Sequence, residues 1–284
     1  ALRFLSSPIC KKTPILKPII SMSNPVLRII FGALYVFLMV GATVFGHPAF
    51  GVLMALLVFL SINELAVLAN KVSNQHLFVN PAVFAGVVLY LTFLGSRELS
   101  GAAYFIMLLI QWGCLYLTYS QLKRDQTLNF ITGTVYLSLP LIGLAIWFMQ
   151  NEQHNMEYIL FYLITIWLYD SMAYLVGKSM GKRPIFPRVS PNKTIEGTVG
   201  GAIVTIVVMS ALNIYWLELP IQAAVLAPAV IFFAVFGDFV ESYMKRKLGV
   251  KDSGRILPGH GGILDRIDSI YLSALPYLVI LLLV

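Results

Sequence analysis

Charged side chains are rare inside long apolar runs, and where they occur they mark functional positions more often than packing. Four carboxylates stand in such runs here: Glu64, Asp170, Asp238 and Glu241. Asp170 precedes Lys178 by about two helical turns, and Asp238 and Glu241 precede Lys245-Arg246-Lys247 by about one or two. At a rise of about 1.5 Å per residue, these three carboxylates reach a similar depth below one surface. Asp238, Glu241, Ser242 and Lys245 follow i, i+3, i+4, i+7, which is one stripe of one helix. Buried ion pairs that lock helices together would use the same residues. Polar groups gathered at one depth on several helices point instead to a chamber. Glu64, beside Asn63, stands apart, and suits a helix-packing or pocket-lining role as well as a catalytic one.

Two polar segments lie next to these carboxylates. The first runs from Gly177 through Lys178, Lys182, Arg183, Arg188 and Ser190 to Lys193, Glu196 and Gly197. Its glycines, prolines and cations suit a loop that wraps around anions. Lys193 enters a helix whose N-terminus also favours phosphate. The second runs from Lys245 to Asp268 and holds Lys251, Asp252, Ser253 and Gly254. Gly259, Gly261 and Gly262 flank His260, so successive N–H groups could form an anion-binding nest. Asp265 and Asp268 follow at i, i+3, on the first turn of the next apolar run. With Asp238 they offer hard oxygen donors suited to Mg²⁺, which takes one or two carboxylates and fills its other positions with water and phosphate. Cations interleaved with such carboxylates suggest polyphosphate chemistry. Zinc does not fit, because His260 has no second His or Cys at ligand spacing. A Gly-x-x-x-x-Gly-Lys-[Ser/Thr] phosphate loop is missing from the sequence.

The elements that must carry these residues follow from composition. Of 284 residues, 58% are hydrophobic and 12% charged, against about 25% charged in a soluble domain. Too little charge remains to cover a water-facing surface, so a soluble enzyme, a disordered chain and a nucleic-acid-binding domain are disfavoured together. An all-α polytopic membrane protein is expected, since a span needs about 20 apolar residues. Nine candidates are read, at about 26–46, 48–69, 79–95, 99–121, 128–150, 156–177, 196–216, 219–244 and 264–284. With a cytoplasmic N-terminus and an external C-terminus, 19 of the 20 basic residues fall inside and Arg97 outside, in line with the positive-inside rule. Residues 1–24 read as a basic leader, 25–150 as N-terminal membrane helices, and 151–284 as the helices and cytoplasmic loops that carry the chemistry. Cys10 and Cys114 make no disulfide framework.

Ser242-x-x-Lys245-Arg246, then Lys251-Asp252-Ser253, then Leu257-Pro258-Gly259-His260-Gly261-Gly262-Ile263-Leu264-Asp265-Arg266-Ile267-Asp268, resembles the signature of the phosphatidate cytidylyltransferase, or CDP-diacylglycerol synthase, family. Asp170-Ser171-x-Ala173-Tyr174, Ser190-Pro191-x-Lys193-Thr194-Ile195-Glu196-Gly197 and Gly237-Asp238 match its pattern in the same order, so the likeness covers about 165–270. The resemblance implies an enzyme that condenses CTP with phosphatidate to give CDP-diacylglycerol and pyrophosphate. It also implies a homodimer of nine-helix subunits in the inner (plasma) membrane, with a funnel open to cytosol and membrane. It places a dimetal site at Asp238 and Asp265, holding Mg²⁺ with K⁺ as the second metal.

That reaction fits the residues. A phosphate monoester is already anionic near neutral pH and can attack the α-phosphorus of CTP without a strong base. The obstacles are repulsion between two anions and the charge on departing pyrophosphate, both met by positioning and electrostatics. Asp238 and Asp265 are expected as metal ligands, with Asp268 as a ligand or its support. Lys193, Lys245, Arg246, Lys251 and Arg266 are expected at phosphates, and His260 at a phosphate oxygen or the leaving group. Asp170 and Glu241 would hold metal-bound water or orient lysines. Ser171 and Ser242 would contact the lipid phosphate or CTP, and Glu196, Asp252, Gly261 and Gly262 would complete the substrate site. Two other readings stay open: a CTP-dependent transferase acting on another lipid phosphate, and a secondary transporter. The transporter needs access from both faces, whereas the polar residues gather on one side.

Overall fold

The computed structural model describes residues 24–73, 86–87, 99–121, 126–150, 155–254 and 261–284. Leader residues 1–23, all of the expected span at 79–95 but residues 86–87, and His260 lie outside the described residues. What is described is nearly all-α. The helices are α1 (Asn24–Val44), α2 (His47–Ser73), α3 (Gly101–Gln121), α4 (Gln126–Gln150), α5 (Asn155–Met180), α6 (Ile195–Leu212), α7 (Leu226–Lys247) and α8 (Leu264–Leu281). Among the described residues, six helices are long and apolar enough to cross a membrane, α2 to α7, and α1 adds a shorter apolar stretch, Ile30–Val44. The apolar run ending α8 is preceded by Asp265, Arg266 and Asp268 at its start.

α8 is the centre of the bundle. Every residue from Ser269 to Leu278 is buried, enclosed mainly by α7, α4 and α3. Buried hydroxyls reach it from several sides: Tyr162 on α5 bonds Ser273 at 2.7 Å, and Ser61 on α2 bonds Tyr271. Such bonds satisfy polar groups that lipid could not. α6 is the opposite case. Only Gly197, Gly201, Thr205 and Met209 are buried along it, while Val199, Ile203 and Val207 are exposed.

Two contacts between small residues set the helix spacing that matters for chemistry. A Cβ on Gly201 would come within 2.6 Å of the Ala173 backbone, so α6 lies tight against α5. A Cβ on Gly237 would lie 2.9 Å from the carbonyl oxygen of Asp268, so α7 lies tight against the start of α8.

Three departures from the sequence expectation follow. Between α5 and α6 the chain is not a plain loop but a two-stranded antiparallel hairpin, β1 (Pro184–Phe186) and β2 (Ser190–Thr194), with Pro184 opposite Thr194 and Phe186 opposite Ser190. The apolar run 196–216 is α-helical only to Leu212. It continues as a π turn, Asn213–Leu217, because the Asn213 amide bonds both the N–H and the C=O of Leu219 and closes the chain on itself. Finally, Ile267 is not helical (φ −123°, ψ 16°), so the first turn of α8 is kinked between Asp265 and Asp268.

Candidate active site

The polar residues converge on a cavity of about 670 Å³ at one end of the bundle. α5 contributes Asp170 and Lys178, the hairpin Lys193, α7 Asp238 and Lys245, and α8 Asp265, Arg266 and Asp268. Asp252 completes the acidic lining.

The hairpin delivers Lys193. Its fold is written in local chemistry. Glu196, in the first turn of α6, accepts from the backbone N–H groups of Lys182 (3.0 Å) and Arg183 (3.1 Å) and from Arg183 Nε (2.8 Å). Thr194 caps α6 by accepting from the Gly197 N–H at 3.1 Å. Phe186 packs on Phe239 of α7 with ring centroids 3.9 Å apart. Arg246 donates to the carbonyls of Val189 (3.4 Å) and Val250 (3.1 Å). Held from both sides, Lys193 forms an ion pair with Asp238. The protein crowded around it lowers the pKa of the ammonium, against the opposing pull of Asp268 and Asp170. The expected phosphate site at the start of α6 is thus largely capped by its own chain, and Lys193 is the hairpin cation that reaches the cavity.

The stripe on α7 is present as read. Ser242 Oγ donates to Asp238 Oδ1 at 3.2 Å, and Lys245 pairs with Glu241 at 3.3 Å, both at i, i+4. Lys245 also donates to Asp265 Oδ1 at 2.6 Å, joining α7 to α8. The other oxygen of Asp265 accepts from the N–H groups of Ser253 (3.0 Å) and Gly262 (2.9 Å). Asp268 accepts from its neighbour Ser269, through the N–H at 2.7 Å. The kink at Ile267 changes the expected i, i+3 helical face, yet both aspartates still line the cavity.

Not every expected residue faces the cavity in the same way. Ser171 is exposed and donates to the Trp167 carbonyl at 2.8 Å. Glu196 and Arg246 brace the hairpin and the α7 turn. Lys251 is exposed beside Asp252. Gly261 takes φ +86°, with its N-terminal flank outside the described residues. Glu241 lines a second, mostly apolar cavity of about 100 Å³ that shares Lys245 and Asp268 with the first. Asn192, Thr194, Thr198 and Ser269 also line the main cavity and were not singled out from sequence. Asn192 and Ser269 are adjacent to Lys193 and Asp268, Thr194 falls within the matched pattern, and Thr198 carries no such signal.

The donor set fits a hard cation of the kind that uses few protein ligands. Among the described residues no three His, Cys, Asp or Glu side chains close into a ready-made cage. Mg²⁺ does not need one, because waters and substrate phosphates supply the rest of its octahedron. Asp238 and Asp265 are each neutralised here by a lysine that could exchange a carboxylate for a phosphate.

Residues 26–284 match the cytidylyltransferase family. This chain belongs to that family. Its matched span takes in every helix described except the first two residues of α1. The chain is 40% identical over 178 residues to the phosphatidate cytidylyltransferase of Staphylococcus aureus (strain COL), covering 61% of this chain and 68% of the relative. It is 42% identical over 175 residues to the phosphatidate cytidylyltransferase of Bacillus subtilis (strain 168), covering 59% of this chain and 64% of the relative. A Staphylococcus epidermidis relative of the same name is 41% identical over 177 residues, with 61% and 68% covered.

Proposed function

We propose that this cytidylyltransferase-family membrane protein transfers the CMP moiety of CTP to phosphatidate, releasing pyrophosphate and forming CDP-diacylglycerol. One observation carries the reading: Lys193 and Lys245 are paired with carboxylates of two adjacent helices around a single cavity at one end of the apolar bundle. The names of the relatives point to the same reaction.

In this reading the residues around the cavity take the following tasks. Lys193, Lys245 and Arg266 meet the phosphates of the two anionic substrates and reduce their repulsion. Asp238 and Asp265, with Asp268, would hold Mg²⁺, and K⁺ would take the second metal position. When bound, the metal supplies charge neutralisation at the CTP phosphates and the leaving pyrophosphate. Asp170 lies on the far wall, where it can orient Lys193. The phosphatidate monoester is the nucleophile, so no protein base has to remove a proton from it. Its acyl chains stay in the bilayer while the headgroup enters the cavity.

The cavity faces the cytoplasm of a plasma-membrane protein in this reading, because CTP is a cytosolic nucleotide and the basic loops lie at that end. A homodimer belongs to the same proposal and is checked by mass measurement in detergent or nanodiscs. The activity test uses purified protein, labelled CTP, dioleoyl phosphatidate and Mg²⁺. Labelled CDP-diacylglycerol and stoichiometric pyrophosphate, lost on chelation and restored by Mg²⁺, are expected. Product formation with another lipid phosphate but none with phosphatidate would overturn the substrate assignment.

A further inference from the structure

α2 carries a carboxylate that the chemistry above does not use. Glu64 is 2% exposed, in a stretch that is otherwise almost wholly apolar. A buried carboxylate at that position is costly unless something needs it. Its Oε2 accepts from the N–H of Leu264 at 2.8 Å, across 200 positions of sequence. Leu264 is the first residue of α8, and the next residue is Asp265. The described flanks of the loop before α8 lie close against the same carboxylate, since a Cβ at Gly254 or at Gly262 would collide with Glu64.

Two carboxylates therefore grip the described ends of the loop. Asp265 takes the N–H groups of Ser253 and Gly262, and Glu64 takes that of Leu264. They divide the unpaired N–H groups at the loop and helix start between them, where negative charge is also favoured by the helix dipole. The glycines at 254 and 262 let the backbone approach Glu64 this closely. The kink at Ile267 leaves this first turn less supported by its own helix than an unbroken one.

We propose that Glu64 is a positioning residue that fixes the first turn of α8 and thereby the aim of Asp265 into the cavity. The functional half of this inference rests on the metal role proposed for Asp265. Partners that orient metal ligands typically cost about 10–100-fold in metal affinity or activity when removed. Glu64→Ala should therefore raise the half-activating Mg²⁺ concentration about tenfold or more, with the KM for phosphatidate little changed. Glu64→Gln keeps a carbonyl oxygen for the Leu264 N–H and should restore most of the wild-type Mg²⁺ dependence. Amide hydrogen exchange in a peptide covering 261–266 should speed up in Glu64→Ala and recover in Glu64→Gln.

A monodisperse Glu64→Ala protein with wild-type Mg²⁺ dependence and wild-type exchange would overturn the proposal. So would equal damage from Ala and Gln, with both substrate KM values raised, because Glu64 would then act through its charge on substrate. If Glu64→Ala does not fold, Gly254→Ala decides, since it pushes a methyl group against the same carboxylate from the loop side. A folded Gly254→Ala protein should show the same Mg²⁺ shift, and a wild-type response in it would overturn the inference. A fully active Asp265→Asn variant combined with fast exchange in Glu64→Ala would uphold the clamp and remove the metal site instead.

Discussion

Asp265 is held by three donors, one lysine at Oδ1 and two backbone N–H groups at Oδ2, and Asn keeps its size while giving up the charge and one acceptor oxygen. Asp265→Asn should abolish CTP-dependent turnover while the protein remains monodisperse, because Asn lacks the negative charge that a hard divalent cation requires. Asp238→Asn should behave alike, and the double variant should be hardly worse than either single, since residues acting as one unit are not additive. Product formation across a Mg²⁺ titration checks both, and near-normal activity of Asp265→Asn at low Mg²⁺ would remove the assignment. Lys193→Ala should lower kcat/KM about tenfold to a hundredfold, the scale of a hydrogen bond to a charged group, with wild-type kinetics for both substrates placing Lys193 outside the site. These residues were legible in the sequence because each announces itself: a carboxylate in an apolar run, or a lysine at i+4 or at a helix entrance. Glu64 also announced itself, but its partner did not. Leu264 offers only a backbone N–H, which every residue has, so no residue type marks the pairing.

Between elements, spacing is set by what is missing rather than by what is present. Gly237 carries no side chain where α7 meets Asp268, and the two helices of the proposed metal site are that much closer for it. Gly237→Ala places a methyl group 2.9 Å from the Asp268 carbonyl oxygen. Overpacking of this kind costs about 1–3 kcal/mol, so the thermal midpoint should fall and turnover should drop with it. A variant with an unchanged midpoint and unchanged kcat would mean that α7 and α8 can part without consequence. The helices themselves were readable from apolar runs, apart from the span at 79–95, nearly all of which lies outside the described residues. The hairpin was not, because Pro184, Pro187 and Pro191 argue for an irregular loop. What makes it a hairpin is the Glu196 carboxylate reaching back across the turn, and sequence spacing alone gives no hint of that. The π turn at Asn213 escaped notice for the same reason, since it depends on one side chain bonding a residue six positions on.

For the whole molecule, the direction in which the bundle is inserted decides whether the cavity meets CTP. A cysteine at Lys182, in the hairpin segment, should be labelled only from the cytoplasmic side, and one at Glu218, between α6 and α7, only from outside, with Cys10 and Cys114 replaced. Labelling of both from one side would contradict the distribution of basic residues. That distribution was legible because it needs only counting. The enclosure of α8 was not, because its apolar run reads like that of any lipid-facing helix. The enclosure has a further consequence for how the protein senses the thickness of its membrane. A bilayer that is too thick or too thin acts on helices that touch lipid, by tilting them or by drawing their flanking residues inward. α6 is exposed along most of its length, on a face that a bilayer would contact, and the hairpin bearing Lys193 is its direct N-terminal continuation. α8, bearing Asp265, is wrapped by other helices from Ser269 to Leu278. Short-chain or long-chain phosphatidylcholine vesicles should therefore change the KM for the lipid substrate, through Lys193, well before they change the Mg²⁺ requirement, through Asp265. Hydrophobic mismatch would tune how this enzyme captures its substrate while leaving the centre of its chemistry alone.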